Sequence, residues 1–483
     1  MGQELPSRPH YLPTAAVPNN KPEATRVSNK RTNKNTLKSK KKLFNKAKVQ
    51  EKFIATKKSL NKENFSNTFI KLAERTQLTF KKYFPAFNRD SSAYYMILFS
   101  TYALVGLGLL MVLSASSVES IRQGIPSYSI FLRQAIWAIL GLIVMHIAAR
   151  IPRDRYQRWG WPAMVLTYIL LILVQLVGYE VNGNKNWIRI GPISGQPSEF
   201  AKFALCIWLP GVLAMNRKYL SDAWILFEKI LVPSVPVIVL VLIGHDMGTS
   251  IVISLIVFGT IFVSGVPMRI FTFIIGIGVL GAAFFALTDP NRLARITTWG
   301  GSCNSTDIQG MCWQSQAGLF GLASGGWFGL GLGSSREKWS WLPEAHNDYI
   351  FAVIGEELGF FGAITVVALF CILAIAFLRV VLRHSDPYIR IATSGVLFWI
   401  MGQAIINMGM VTGALPVIGV PLPLISAGGT AVLFALMAIG MVLSFARTEA
   451  KPGDARRTNK TTYRNAAKPK PLKRKRKLPA ISR

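Results

Sequence analysis

Charge is scarce in this sequence. Only 16% of its 483 residues are Asp, Glu, Lys or Arg, against about 25% in a typical soluble chain. The deficit is uneven. Residues 1–90 hold 21 Lys+Arg against six Asp+Glu, and residues 447–483 hold 14 against two. The middle, 91–446, carries 20 against 15, so most of the formal net charge of +32 sits in two tails. This pattern excludes a soluble enzyme with a basic patch. It also argues against nucleic acid as a partner, because basic tails beside membrane spans more often read the anionic cytoplasmic leaflet. Also missing is an apolar run in the first 40 residues, so no cleavable signal peptide is expected. No Gly-x-x-x-x-Gly-Lys phosphate loop is present. Cysteine is scarce, with four in all. Cys206 and Cys371 fall in apolar stretches and are expected in the core. Cys303 and Cys312 fall in a polar loop, where they either close a small disulfide or remain two free thiols.

What is present is apolar length. A hydrocarbon crossing needs about 20 apolar residues, and ten such spans are predicted: 94–115, 130–149, 161–179, 199–215, 230–244, 248–265, 270–287, 349–378, 390–411 and 425–446. Gly244-His245-Asp246 barely separates the fifth from the sixth, which are read as two spans or as one broken element. The fold class expected is therefore an all-α polytopic membrane protein of about ten transmembrane helices. Its domains are a basic tail over 1–90, a membrane domain over 91–446 and a basic tail over 447–483. A short amphipathic helix near Phe65–Phe84 is an alternative to plain linker there. Lys and Arg in short loops set orientation. With the N-terminus inside, the inner loops hold eleven of them, Arg150, Arg153, Arg155, Arg158, Arg217, Lys218, Lys229, Arg269, Arg379, Arg383 and Arg390; the outer ones hold Arg122, Arg133, Lys185 and Arg189. Both termini are then cytoplasmic, and a long loop between helices 7 and 8, residues 288–348, is extracytoplasmic.

Ionisable residues in or beside spans are costly and tend to mark function. Asn182 to Pro192 is an outer loop of turn formers with Lys185, Trp187 and Arg189, which suits an anionic head group or plain interfacial anchoring. Gln196-Pro197-Ser198-Glu199-Phe200-Ala201-Lys202 opens the fourth span, and a Lys at that depth needs a carboxylate, for which Asp246 is the candidate. Trp339 to Asp348 gathers Glu344, His346 and Asp348 at a membrane surface beside Trp341. Glu356-Glu357 requires pairing with a neighbouring helix. Pro416, Pro421 and Pro423, with Gly413, Gly419, Gly428 and Gly429, make an irregular stretch that membranes tolerate only where protein or a cavity covers it. A carboxylate with nearby cations, and no Ser/His/Asp or Cys/His arrangement, favours glycosyl or phosphoryl transfer over acyl transfer.

The chain resembles the FtsW/RodA (SEDS) family across 91–446. The resemblance is carried by Asn182-Gly183 through Trp187-Ile188, Gln196-Pro197-Ser198-Glu199-Phe200-Ala201-Lys202, Asp246-Met247-Gly248-Thr249, Leu342-Pro343-Glu344-Ala345-His346-Asn347-Asp348-Tyr349-Ile350-Phe351-Ala352, Gly355-Glu356-Glu357-Leu358-Gly359 and the Pro416–Gly429 stretch. It implies a peptidoglycan glycosyltransferase that polymerises lipid II by inverting single displacement, with Asp348 as general base. Lys185, Trp187, Arg189, Lys202, Asp246, Glu344 and His346 are then candidates for substrate binding. The resemblance also implies a class B penicillin-binding protein as transpeptidase partner, other division proteins, and a place in the bacterial cytoplasmic membrane at the septum. No organic cofactor is expected. A divalent cation, Mg2+ or Mn2+, is a candidate, with Glu344 and His346 to face it. The basic tails favour the division member over the elongation member. Departures from the family pattern are His245 where Pro is usual, Asn186 where Arg is frequent, and Ala427 in place of a common Tyr. A transporter that flips lipid II without chemistry is the rival from another class.

Overall fold

The computed structural model describes residues 92–287 apart from 182 and 192, residue 299, residues 311–339, residue 342 and residues 344–448. The N-terminal tail, the C-terminal tail beyond Thr448, the helix considered near Phe65–Phe84, Trp341 and the Cys303–Cys312 pairing lie outside these residues.

The architecture is helical, as the long apolar runs predict. The helices are α1 (Ser92–Arg122), α2 (Ser129–Ala148), α3 (Arg153–Val177), α4 (Pro197–Met215), α5 (223–243, with a π turn at Phe227–Leu231), α6 (Met247–Ser264), α7 (Met268–Leu287), α8 (Met311–Ser324), α9 (Ile350–Arg383), α10 (Pro387–Val411) and α11 (Gly429–Thr448). Among the described residues, nine of these are long and apolar enough to cross a bilayer. They match nine of the ten predicted spans. The tenth falls on α7, whose described apolar stretch, Met268–Gly281, is shorter than a full crossing. The fifth and sixth spans are two helices meeting at Gly244–Asp246. α8 is too short to cross and lies within the segment 288–348 read as the outer loop.

Helix ends follow from local chemistry. Pro197 and Pro387 occupy first turns, where a missing N–H costs nothing. Asp246 and Asp386 cap α6 and α10 by accepting from the Thr249 and Tyr388 amides. α4 and α10 are the most enclosed spans, while α2 and α5 turn Ile136, Ile139, Val235 and Val239 outward to lipid. Cys206 is buried in α4, but Cys371 is exposed on α9, against the core placement expected for it. Its stretch of α9 is apolar all round, so periodicity did not reveal which face meets lipid.

The two ends of the bundle differ. At one end Arg153 pairs with Asp386, Ser444 donates to the Ile151 carbonyl and His384 meets the Phe445 carbonyl. These are the ends that the charge pattern places inside. At the other end, what reads as an outer loop of turn formers is a three-stranded antiparallel meander, β1 (Tyr179–Val181), β2 (Asn184–Ile190) and β3 (Ile193–Gly195). Tyr179 pairs in register with Trp187, and Arg189 with Ser194.

Candidate active site

Asp348 stands two residues ahead of α9, in the turn 344–349. Glu344, at φ 55°, starts this turn, and its carbonyl accepts from both the Asn347 and Tyr349 amides. The irregular stretch after α10 then holds the turn from outside. The Ala427 amide donates to the His346 carbonyl at 3.1 Å. Ser426 Oγ donates to the Asn347 carbonyl at 2.7 Å and accepts from the Leu422 amide. Asn407 Nδ2 lies 2.7 Å from both the Asp348 and Val420 carbonyls. The Asp348 carboxylate comes to rest against Gly419. That residue has φ 74°, and a Cβ there would stand 3.3 Å from Asp348 Oδ2. Glycine suits the position for its backbone region, and a Cβ there would also crowd the carboxylate.

The same stretch gathers the other sites. The first turn of α6 touches it, since a Cβ on Gly248 would meet the Val420 side chain and the Gly419 carbonyl. Asp246, just ahead of that turn, is 7% exposed. It accepts from Asn186 Nδ2 at 2.7 Å, Gln196 Nε2 at 2.9 Å and the Thr249 amide at 2.9 Å. Lys202 is buried in α4. Its ammonium pairs with Glu199 at 2.8 Å, donates to Gln403 Oε1 at 3.3 Å and lies 5.1 Å from the Trp399 ring centre. Gln403 in turn donates to the Pro421 carbonyl. A small cavity lies between Glu199, Gln403, Ser426 and the Pro421–Leu424 backbone.

This corrects the expected partnership of Lys202 with Asp246. Residues three apart share a helix face, so Glu199 reaches the ammonium from within α4. Asp246 is already occupied by a cap and two amides. Asn186, where the family often has Arg, serves Asp246 as a neutral donor.

The remaining predicted residues are spread out. Lys185 donates to the Gln175 carbonyl at 2.7 Å, and its amide binds the Gly244 carbonyl, so it locks the meander to the ends of α3 and α5. Arg189 is exposed and stacks 5.1 Å from the centre of Tyr179. Trp187 is half-buried beside it in β2. Burial holds the His346 imidazole below its usual range, although Glu344 and Glu119 oppose that shift. Glu119, at the outer end of α1, thereby joins the site's charge environment unforeseen. Among the described residues no group of three or more His, Cys, Asp or Glu is arranged to hold a metal ion. Asn407 and Gln403, the amides that fasten the site, were also missed. Their signal was available: two amides four residues apart in an otherwise apolar span.

A bundle of helices long and apolar enough to cross a bilayer, with a carboxylate seated at one end on a buried polar scaffold, defines a class of multi-pass membrane proteins. The chain matches the family described as Cell cycle protein, FtsW/RodA/SpoVE, over residues 95–451. It belongs to that family. It is 36% identical over 367 residues to the probable peptidoglycan glycosyltransferase FtsW of Mycobacterium tuberculosis, covering 75% of this chain and 69% of the relative. It is 34% identical to the stage V sporulation protein E of Bacillus subtilis, covering 73% and 96%. Among solved structures it resembles a chain of a peptidoglycan synthase complex that coordinates polymerization and crosslinking, with a TM-score of 0.61, 26% identity, and 74% and 98% coverage. It also resembles the rod shape determining protein RodA of Thermus thermophilus, with a TM-score of 0.54, 26% identity, and 74% and 97% coverage.

Proposed function

We propose that this protein polymerises lipid II into glycan strands at the outer face of the bacterial cytoplasmic membrane, as the division-type member of its family. The observation that carries the reading is the placement of Asp348. Its carboxylate lies at the outer end of the bundle, on a turn held from three directions. The relatives named peptidoglycan glycosyltransferase support a glycan substrate, and lipid II is the form this reading assigns to it. The relatives named FtsW, at 32–36% identity, favour septal over lateral synthesis.

In this reading the acceptor lipid II presents its GlcNAc 4-hydroxyl to Asp348. The carboxylate takes the proton as the oxygen attacks the anomeric carbon of the donor MurNAc, and undecaprenyl pyrophosphate leaves with inversion. General-base assistance of this kind is worth about 10²–10⁴-fold. The leaving pyrophosphate needs positive charge, for which exposed Arg189 is available. Lys185 positions the meander on which Arg189 sits. A divalent cation brought in with the pyrophosphate would add Lewis-acid neutralisation, with Glu344 and His346 the residues to face it. A class B penicillin-binding protein would cross-link the strand produced.

Asp348→Asn keeps the shape of the side chain and removes the base. Purified with its transpeptidase partner, it should polymerise labelled lipid II at least about 100-fold more slowly than wild type. Wild-type polymerisation by this variant would sink the assignment. Lipid translocation in liposomes without polymer would instead favour the flippase reading.

A further inference from the structure

Glu356 and Glu357 have no part in the reaction above, yet both are 1% exposed on the first turns of α9. Two adjacent carboxylates at that burial demand partners. The partners come from the segment that leads into the Asp348 turn. Ser335 Oγ and the Arg336 amide donate to Glu356. The Ser335 amide donates to Glu357. Lys338 Nζ reaches Glu357 at 3.0 Å, the Gly333 carbonyl at 2.7 Å and Ser114 Oγ at 3.1 Å, so its three protons have three acceptors. Ser114, from α1, also lies 2.6 and 2.7 Å from the two oxygens of Glu357.

The consequence is topological. Residues 335–338 lie against these carboxylates, and residues 344–349 lead into the same helix. The first run is fastened by hydrogen bonds and an ion pair, the second by its continuity with α9. The Leu342 amide bonded to the Glu337 carbonyl carries the restraint inward. Glu344 then sets the turn that presents Asp348. The 416–428 stretch holds the turn at one side, and this fastening holds it at the other.

We infer that Lys338, Glu357 and Ser114 form a clasp that positions Asp348. They are positioning residues that do not touch substrate, and the role rests on the reading of Asp348 as the base.

The test replaces the buried pair as a unit with Lys338→Met/Glu357→Leu, because removing one charge alone strands the other. The full chain is assayed with its transpeptidase partner and labelled lipid II. The thermal midpoint and the hydrogen exchange of the Asn347 and Tyr349 amides are followed in parallel. The double variant should fold, lose about 10- to 100-fold in kcat, keep its KM and exchange those two amides faster. Added to Asp348→Asn, it should cause no further loss. Wild-type kcat together with wild-type exchange overturns the clasp. If the double variant does not fold, Ser114→Ala removes one hydroxyl and leaves the charges paired. It should lower kcat about two- to tenfold, and wild-type kcat there overturns the clasp equally. If wild-type protein itself makes no polymer, the glycosyltransferase reading has failed, and the exchange measurement still decides the clasp.

Discussion

Lys202 shows how one residue within a bilayer is made tolerable. Its side chain is 2% exposed and that of Glu199 is 4% exposed, at 2.8 Å. Gln403 and the Trp399 ring complete the ammonium's surroundings. Lys202→Met should therefore destabilise the protein by about 3–5 kcal/mol, because it strands Glu199, while Glu199→Leu/Lys202→Met should regain most of that. Thermal unfolding in detergent distinguishes the two. A double variant as unstable as the single one would show that the pair is not the unit. The need for a partner was legible in the sequence, since a lysine at that depth cannot stand alone. The identity of the partner was misjudged, because Asp246 appears unpaired until Asn186 and Gln196 fold over it. Asp348 was legible for a different reason: three ionisable side chains crowd the last residues before an apolar span.

At the scale of elements, α9 breaks where its sequence gives only a faint sign. Gly359 has φ 69° and ψ −165° inside the helix. The backbone groups released by the break are taken up by the glycine-rich segment that follows α8. Leu330 and Gly331 amides donate to the Glu356 and Glu357 carbonyls, and the Phe360 and Phe361 amides donate to Gly326 and Trp327. A Cβ on Gly359 would stand 2.3 Å from the Gly329 nitrogen. Gly359→Ala combines a backbone region open essentially to glycine alone with a main-chain clash. It should cost more than the ~1–3 kcal/mol of the backbone region alone, seen as a lowered thermal midpoint and a reduced yield of folded protein. Wild-type stability would contradict that geometry. The spans themselves were legible because length and hydropathy suffice for a crossing. The break, the meander and the short α8 were not, because their backbone groups are satisfied by residues distant in sequence.

For the whole molecule, the proposed site lies at one end and most of the formal charge in the tails. Deleting 1–85 and 450–483 should leave lipid II polymerisation with the partner unchanged and weaken binding to anionic vesicles, with a smaller salt dependence. A truncated protein that no longer polymerises would transfer the function from the bundle to the tails. The division into apolar middle and basic ends was plain from composition. The convergence of Asp246, Lys202 and Asp348 on residues 416–430 was not, since no local pattern reports a contact between distant spans.

That convergence also fixes an order of events during synthesis. The chain emerges from the ribosome N-terminus first, so Asp348 is made before the residues it rests on. Gly419, Ser426 and Ala427 arrive only with the last two helices. Until then Lys202 has Glu199 but not Gln403, and the Asp348 turn has no seat. A chain stopped after α9 would carry the Asp348 carboxylate without the residues it rests against, so in the proposed reading competence arrives only with the final span.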